Sequence, residues 1–357
     1  MSSSQKSLPA MVIRGGTSKG LYFNGKDLPE NISDRDEILI RAMGSPHQLE
    51  IDGMGGGHPL TSKVAVVSKS NRKGIDVDYL FLQVWPNKPL VDAKQNCGNI
   101  LAGVGIFAIE TKLVEIQSDV TKVRVFMENT SSVATLSIQT PKGEISYSGE
   151  TKIDGVPGTS SPIYIEFENI EGSSCGSLFP TGNRVDLVNG KEITCIDNGM
   201  PVVCLVAQDF GITGKESPDE IEQNISLLAA IEDIRLKAGV LMGLGDVRER
   251  TVPKMSLISP GEGEIDVSTR TLIPHKVHES IGVLGAVSVA TAALVQNTVA
   301  NRLRAEKSSP SKEIKVGHPS GFFGLQMDIE DDGKVVDIKK SILVRTARLL
   351  MRGEVYF

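Results

Sequence analysis

The chain has little of what would tie it to a disulfide framework, to nucleic acid or to a membrane. Four cysteines stand in 357 residues (Cys97, Cys175, Cys195 and Cys204), with no C-x-x-C spacing. That excludes a small disulfide scaffold and fits reduced thiols in a cytoplasm. Lys and Arg number 38 against 44 Asp and Glu, a formal net charge of -6 without a basic cluster, so nucleic acid is not an expected partner. No apolar run reaches membrane-spanning length without Gly, Thr or polar breaks, and Val283 to Val295 is too short to cross a bilayer. The opening Met1-Ser-Ser-Ser-Gln-Lys-Ser7 lacks the apolar segment of a secretory signal, which again points to the cytoplasm.

What is present is an ordinary globular composition, 40% hydrophobic and 23% charged, with length enough for two domains. Gly98 to Leu113 is rich in Gly and Ala and apolar on nearly every side, the texture of a helix enclosed by protein. Ser280 to Val295 has the same texture, and two such helices half a chain apart imply two similar halves. Most other segments are short β-like runs, among them Lys63–Ser68, Tyr79–Val84, Val123–Met127, Ala134–Gln139, Ile163–Phe167, Val202–Ala207 and Met255–Ile258. Turn clusters such as Pro141-Lys-Gly143, Gly155-Val-Pro-Gly158 and Asp331-Asp-Gly333 separate them. The pattern predicts an α+β chain with antiparallel sheets wrapped around one helix per half. Residues 1–178 and 179–357 are the expected domains, with room for the last strand to return to the first; Gly172–Asn183 reads as the junction and Lys307–Lys312 as a surface loop.

Gln95-Asn96-Cys97-Gly98-Asn99 sets a single thiol at the N-terminus of the first enclosed helix. There the partial positive charge and free N–H groups of the first turn lower a thiol's pKa and hold an anion. Arg14-Gly-Gly-Thr17-Ser18-Lys19-Gly20 follows the strand Met11–Ile13; it reads equally as a carboxylate or phosphate pocket and as a polar hairpin turn. Lys63 opens an apolar strand behind the glycine-rich Asp52–Gly57 loop, as a snorkelling side chain or as a desolvated amine. His318-Pro-Ser-Gly321 is a turn before another strand.

Three motifs match in letters only. Gly20 to Asp27 has the glycine spacing of a phosphate-binding loop, but Asp27 stands where Ser or Thr would hold magnesium and the interior residues are bulky. Gly103-Val-Gly105-Ile-Phe-Ala108 lies inside a helix, where a dinucleotide fingerprint has no strand before it. His275-Lys-Val-His278 lacks a third metal ligand at useful spacing. No metal and no cofactor are expected.

Taken together, the polar clusters resemble the PrpF family of cofactor-independent isomerases. The likeness is carried by Arg14–Gly20, Ile51-Asp-Gly, Leu60-Thr-Ser-Lys63, Asp76–Phe81, Gln95–Leu101, Ile153–Gly158, Cys195-Ile-Asp, Met200–Val203, Gly243–Val247, Val252-Pro-Lys254 and His318–Gly321. It runs from Met11 to Tyr356 and is strongest to members that tautomerise 4-oxalomesaconate, through Met127–Thr130, Cys195–Val203 and Ser280–Thr291.

The resemblance implies a diaminopimelate-epimerase-like fold: two pseudo-symmetric domains, each with a central helix in a curled sheet, and a ligand cleft between them. Epimerases of this fold carry a cysteine at both central helices, whereas the second helix here is expected to open with Glu279-Ser280, so racemisation is not expected. The resemblance pairs a cysteine with a lysine instead, and Cys97 and Lys63 occupy the matching positions. The implied chemistry is proton transfer on an unsaturated keto-tricarboxylate in gallate-type catabolism: Lys63, desolvated, as base and Cys97 as the group that returns the proton. Candidates for holding the substrate are Arg14, Thr17, Ser18, Asn96, the N–H groups of Gly98 and Asn99, Arg270, His275, Ser280, His318 and Ser320. Allylic isomerisation of oxalomesaconate, methylaconitate or methylitaconate is the alternative within the family. A dicarboxylate-binding protein and a non-catalytic helper of an aconitase-like enzyme are the alternatives outside enzymology. The expected partner is the small acid itself, with no nucleic acid or membrane, and a homodimer is compatible with the family.

Overall fold

The structure, a computed structural model, describes residues 5–93, 96–305 and 313–357. Gln95 and the loop read at Lys307–Lys312 lie outside the described residues. The chain divides into two compact units, one of Met1–Glu168 with Val344–Phe357 and one of Asn169–Leu343.

The first unit runs β1 (Ser7–Gly15), β2 (Ser18–Asn24), α1 (Ile32–Met43), β3 (Lys63–Lys69), β4 (Val77–Val84), β5 (Val91–Asp92), α2 (Gly98–Glu110), β6 (Val120–Met127), β7 (Ser132–Gln139) and β8 (Ile163–Glu168). The second runs β9 (Asp186–Val188), β10 (Lys191–Asp197), β11 (Pro201–Val206), α3 (Pro218–Gln223), α4 (Ile225–Leu241), β12 (Lys254–Pro260), β13 (Val267–Leu272), α5 (Val283–Leu294), α6 (Val299–Leu303), β14 (Glu313–His318), β15 (Gly321–Asp331) and β16 (Val336–Arg345). The chain then returns to the first unit as β17 (Ala347–Tyr356), antiparallel to β1.

The two units repeat one topology. In the first, β1 and β2 form a hairpin, β2 is parallel to β3, β3 antiparallel to β4, and β4 parallel to β6. In the second, β10 and β11 form a hairpin, β11 is parallel to β12, β12 antiparallel to β13, and β13 parallel to β14. Each parallel step needs a crossover, and α2 and α5 are the crossovers that fill the concave side. This is the diaminopimelate-epimerase-like fold that the sequence resemblance implied.

Both central helices are sheathed. Every residue of α2 from Ile100 to Ile109 is buried, so the helix needs small residues where strands press closest. A Cβ on Gly103 would sit 2.3 Å from the Tyr22 hydroxyl, and one on Gly105 2.8 Å from Ile138. The dinucleotide-like letters are thus packing contacts. Gly20, the first letter of the phosphate-loop match, lies within β2, where a Cβ would meet the Lys63 carbonyl oxygen at 2.5 Å. A second apolar layer covers the convex side of each sheet: α1 packs through Leu39, Ala42 and Met43 on Leu21, Phe23, Val64, Val66 and Leu82. In the second unit α4 packs through Ile231, Ile234 and Ala238 on Ile193, Val203, Leu205, Met255 and Leu272.

The second helix begins later than the sequence suggested. Gly282 is the N-cap and α5 starts at Val283, leaving Glu279 and Ser280 in the preceding loop. The backbone N–H of Ser280 donates to His278 Nδ1 at 2.9 Å in that loop.

Candidate active site

Strand alternation decides which side chains face α2. Val64 and Val66 point to the α1 layer, so Lys63 points to the concave side, as do Tyr79, Phe81 and Gln83 on β4 against Leu82 and Val84. Lys63 is 7% exposed. Its Nζ donates to Gln83 Oε1 at 2.8 Å and lies 4.9 Å from the centre of the Phe81 ring. Phe81 is in turn fixed by Asn129, whose side chain bonds both the N–H and the carbonyl of Phe81, at 2.8 and 2.9 Å, and the Ala93 carbonyl at 2.8 Å.

Cys97 is the N-cap of α2, half-buried, and no side chain caps the helix or places an acid in its first turn. The N–H groups of Gly98, Asn99 and Ile100 have no acceptor within the helix. The Cys97 N–H donates to Asn96 Oδ1 at 2.7 Å, and Asn96 Nδ2 is anchored 2.7 Å from Met127 Sδ. Two phenols of the sheet brace this turn. Tyr79 donates to the Cys97 carbonyl at 3.3 Å and Tyr22 to the Ile100 carbonyl at 2.6 Å. Burial, reinforced by the nearby Cys97, holds both phenols well above their ordinary pKa, so they act as neutral donors.

The β1–β2 hairpin rests on the same turn of α2. Gly16 adopts φ +52°, and a Cβ on Gly15 would lie 2.2 Å from the Asn99 carbonyl oxygen, so two glycines let the backbone pass. Asn99 Nδ2 donates to Thr17 Oγ1 at 3.0 Å, while Asn99 Oδ1 accepts from Arg345 Nε at 3.2 Å. Burial lowers the pKa of that arginine. Ser18 is buried and its hydroxyl has no partner among the described residues. Arg14 braces the hairpin instead of facing the helix end: Nη1 donates to the carbonyls of Gly16 and Thr346 and to Thr346 Oγ1, at 2.9–3.0 Å. Its pKa is lowered by burial and by Arg348.

The structure thus gathers Thr17, Ser18, Lys63, Asn96, Cys97, Gly98 and Asn99 around the first turn of α2 and the adjacent concave sheet face. Sequence reasoning missed Tyr22, Tyr79, Gln83 and Arg345. A polar Gln inside the apolar run of β4 was a usable signal; Arg345, 246 residues from Asn99, left none.

In the second unit Ser280, His318 and Ser320 come together. Ser280 Oγ lies 3.2 Å from His318 Nε2, Ser320 Oγ lies 3.2 Å from His318 Nδ1, and Ser320 Oγ donates to the Glu279 carbonyl at 2.7 Å. Arg270 and His275 do not join them. Arg270 alternates with Thr269 and Thr271 and shares the face of Leu272, on the α4 side. Its Nε donates to the Glu216 carbonyl at 2.5 Å and its Nη1 to that of Thr269 at 3.0 Å. His275 is 62% exposed in its side chain and faces Glu232 of α4 at 3.8 Å. Strand alternation puts Arg270 on the α4 side, and His275 lies in the loop after β13, facing α4. Among the described residues no three His, Cys, Asp or Glu side chains gather as a metal site requires, and no helix is long and apolar enough to cross a membrane.

Comparison with known proteins adds the chemistry of relatives. A family model described as "PrpF protein" matches residues 5–357. The chain is 53% identical over 350 residues to a (4E)-oxalomesaconate Delta-isomerase of Novosphingobium sp., covering 98% of this chain and 97% of that one. It is 49% identical over 351 residues to a 4-oxalomesaconate tautomerase of Pseudomonas putida, covering 98% and 96%. The crystal structure of a methylitaconate-delta-isomerase matches with TM-score 0.88 at 33% identity, over 99% of this chain and 96% of the other.

Proposed function

Because the chain belongs to the PrpF family, we propose that it is an isomerase that moves a proton on 4-oxalomesaconate, as a keto–enol tautomerase without a cofactor. The observation that carries this reading is one of placement. A buried amine held by a neutral amide and a thiol at an uncapped helix N-terminus share the concave side of one sheet.

An unsaturated keto-tricarboxylate has an acidic C–H, because the anion left by deprotonation spreads over the ketone and the conjugated acid. The protein has to supply a base, an acid and fixed positive potential. Lys63 takes the proton from carbon, and Cys97 returns one to the delocalised enolate. The N–H groups of Gly98 and Asn99 and the Ser18 and Thr17 hydroxyls hold carboxylate and enolate oxygens, with the helix terminus adding its partial charge. Asn99 and Arg345 orient Thr17. The Ser18 hydroxyl, buried and without a partner among the described residues, is available to donate to a substrate oxygen. The same reading carries with it a cytoplasmic setting and a place in the breakdown of gallate-type aromatic acids.

A second reading, allylic Δ-isomerisation of the same acid, is favoured by the 53% identical relative. Both use one deprotonation and differ in whether the proton returns to oxygen or to carbon. The test is kcat/KM on 4-oxalomesaconate, 2-methylaconitate and methylitaconate, with NMR identification of the first product. We expect oxalomesaconate to lead by more than about a hundredfold, the equivalent of ~3 kcal/mol from donors left unpaired by a smaller acid. A first product with a shifted C=C bond establishes the second reading, and an equal rate on methylaconitate removes the substrate assignment.

A further inference from the structure

Gln83 stands opposite Lys63 across the β3–β4 ladder and is 2% exposed. Its amide orientation is determined by its surroundings. The Nε2 atom lies 3.1 Å from the Pro59 carbonyl oxygen, 3.0 Å from that of Ser62 and 3.1 Å from that of Val84. Reversing the amide would turn its oxygen on three carbonyls and its N–H groups on an ammonium, so the oxygen must face Lys63. The far side of the clamp is itself held: the Ser62 hydroxyl donates to the buried Glu50 carboxylate, and the Ser62 carbonyl is one of the three acceptors. Lys63 forms no ion pair among the described residues; its hydrogen bond there is to this neutral amide.

We propose that Gln83 is a positioning residue of the reaction: a rigidly oriented neutral acceptor that aims the Lys63 amine without pairing it with a charge. This rests on the reading of Lys63 as a proton-transfer group. An amide oxygen fixes the direction of one N–H and leaves the lone pair of the free amine, or the remaining N–H groups of the ammonium, for the substrate. A carboxylate at the same place would bind the ammonium as an ion pair and oppose its deprotonation. An apolar side chain would leave the amine unaimed and would take the amide donor away from the Pro59, Ser62 and Val84 carbonyls.

The test uses the full chain with 4-oxalomesaconate and the parent, Gln83→Glu, Gln83→Met and Lys63→Met proteins. Gln83→Glu should move the acidic limb of the kcat/KM profile upward by about one pH unit or more, with roughly tenfold lost near neutrality and recovered as the pH rises. Gln83→Met should lower kcat by about 10- to 100-fold with KM within about threefold of the parent, because misaiming affects the reacting geometry more than ground-state binding. The Met variant also carries the test alone if the Glu variant does not fold. A folded Glu or Met variant with the parent's kcat and pH profile overturns the role of Gln83. Full activity in Lys63→Met overturns the reading of Lys63 instead, so the two failures are told apart.

Discussion

Asn99 Nδ2 donates to Thr17 Oγ1 at 3.0 Å, which ties the turn between β1 and β2 to the first turn of α2. The backbone can come so close only because Gly15 and Gly16 present no side chain there. A ligand oxygen bound at the helix N-terminus would therefore meet hydroxyl donors already in place, with little ordering left for the moment of binding.

Thiol chemistry should single out Cys97. Cys195 and Cys204 are buried, and burial pushes Cys204 up to about 12; burial and Asp197 push Cys175 up to about 12 as well. Iodoacetamide near neutral pH should modify Cys97 first, activity should fall in step, and 4-oxalomesaconate should slow both. Mass spectrometry of the alkylated peptides checks the order. Modification of Cys175 before Cys97 would contradict it.

Gly103→Ala should destabilise the first unit. The added methyl would stand 2.3 Å from Tyr22 Oη and 2.7 Å from its Cζ, against a phenol fixed by its bond to the Ile100 carbonyl. Overpacking of this kind costs about 1–3 kcal/mol, more than the helix propensity that alanine adds. Tyr22→Phe in the same chain removes the closest atom and should restore part of the loss. Urea unfolding measures both, and a more stable Ala variant would be the contrary result.

Lys254 gives a pH-dependent stability. It opens β12 as Lys63 opens β3. Burial, reinforced by Arg235, pushes it from 10.5 down to about 8. The folded state then binds fewer protons than the unfolded chain between about pH 8 and 10.5, so this group makes stability rise with pH across that window and weighs on the fold fully below it. Lys254→Met should be about 1–2 kcal/mol more stable than the parent at pH 7, with the advantage shrinking by about pH 9.5. Urea midpoints at the two pH values test it, and a constant difference would contradict the assignment.

Much of this was legible in local sequence. The two enclosed helices announced themselves by Gly, Ala and apolar residues on every side, and Cys97 was readable as the helix opening because the apolar run begins just after it. Strand alternation was less accessible. Arg270 looks like a free cation, but strand alternation sends it to the α4 side, and α5 starts at Val283 behind the N-cap Gly282. The partners that complete the α2 turn arrive from afar: Tyr22 from β2 and Arg345 from the far end of the chain. No periodicity within a window could bring them together.

The most direct measurement is deuterium incorporation into 4-oxalomesaconate in deuterated buffer, followed by NMR, for the parent, Lys63→Met and Cys97→Ser proteins, each shown folded by circular dichroism. Exchange reports proton abstraction even where the equilibrium hides net turnover. Positioned acid–base groups contribute roughly 10²–10⁴-fold, so Lys63→Met should lose nearly all exchange at the carbon it deprotonates, and Cys97→Ser should lose turnover by a comparable factor. Exchange at the parent rate in folded Lys63→Met would contradict the account.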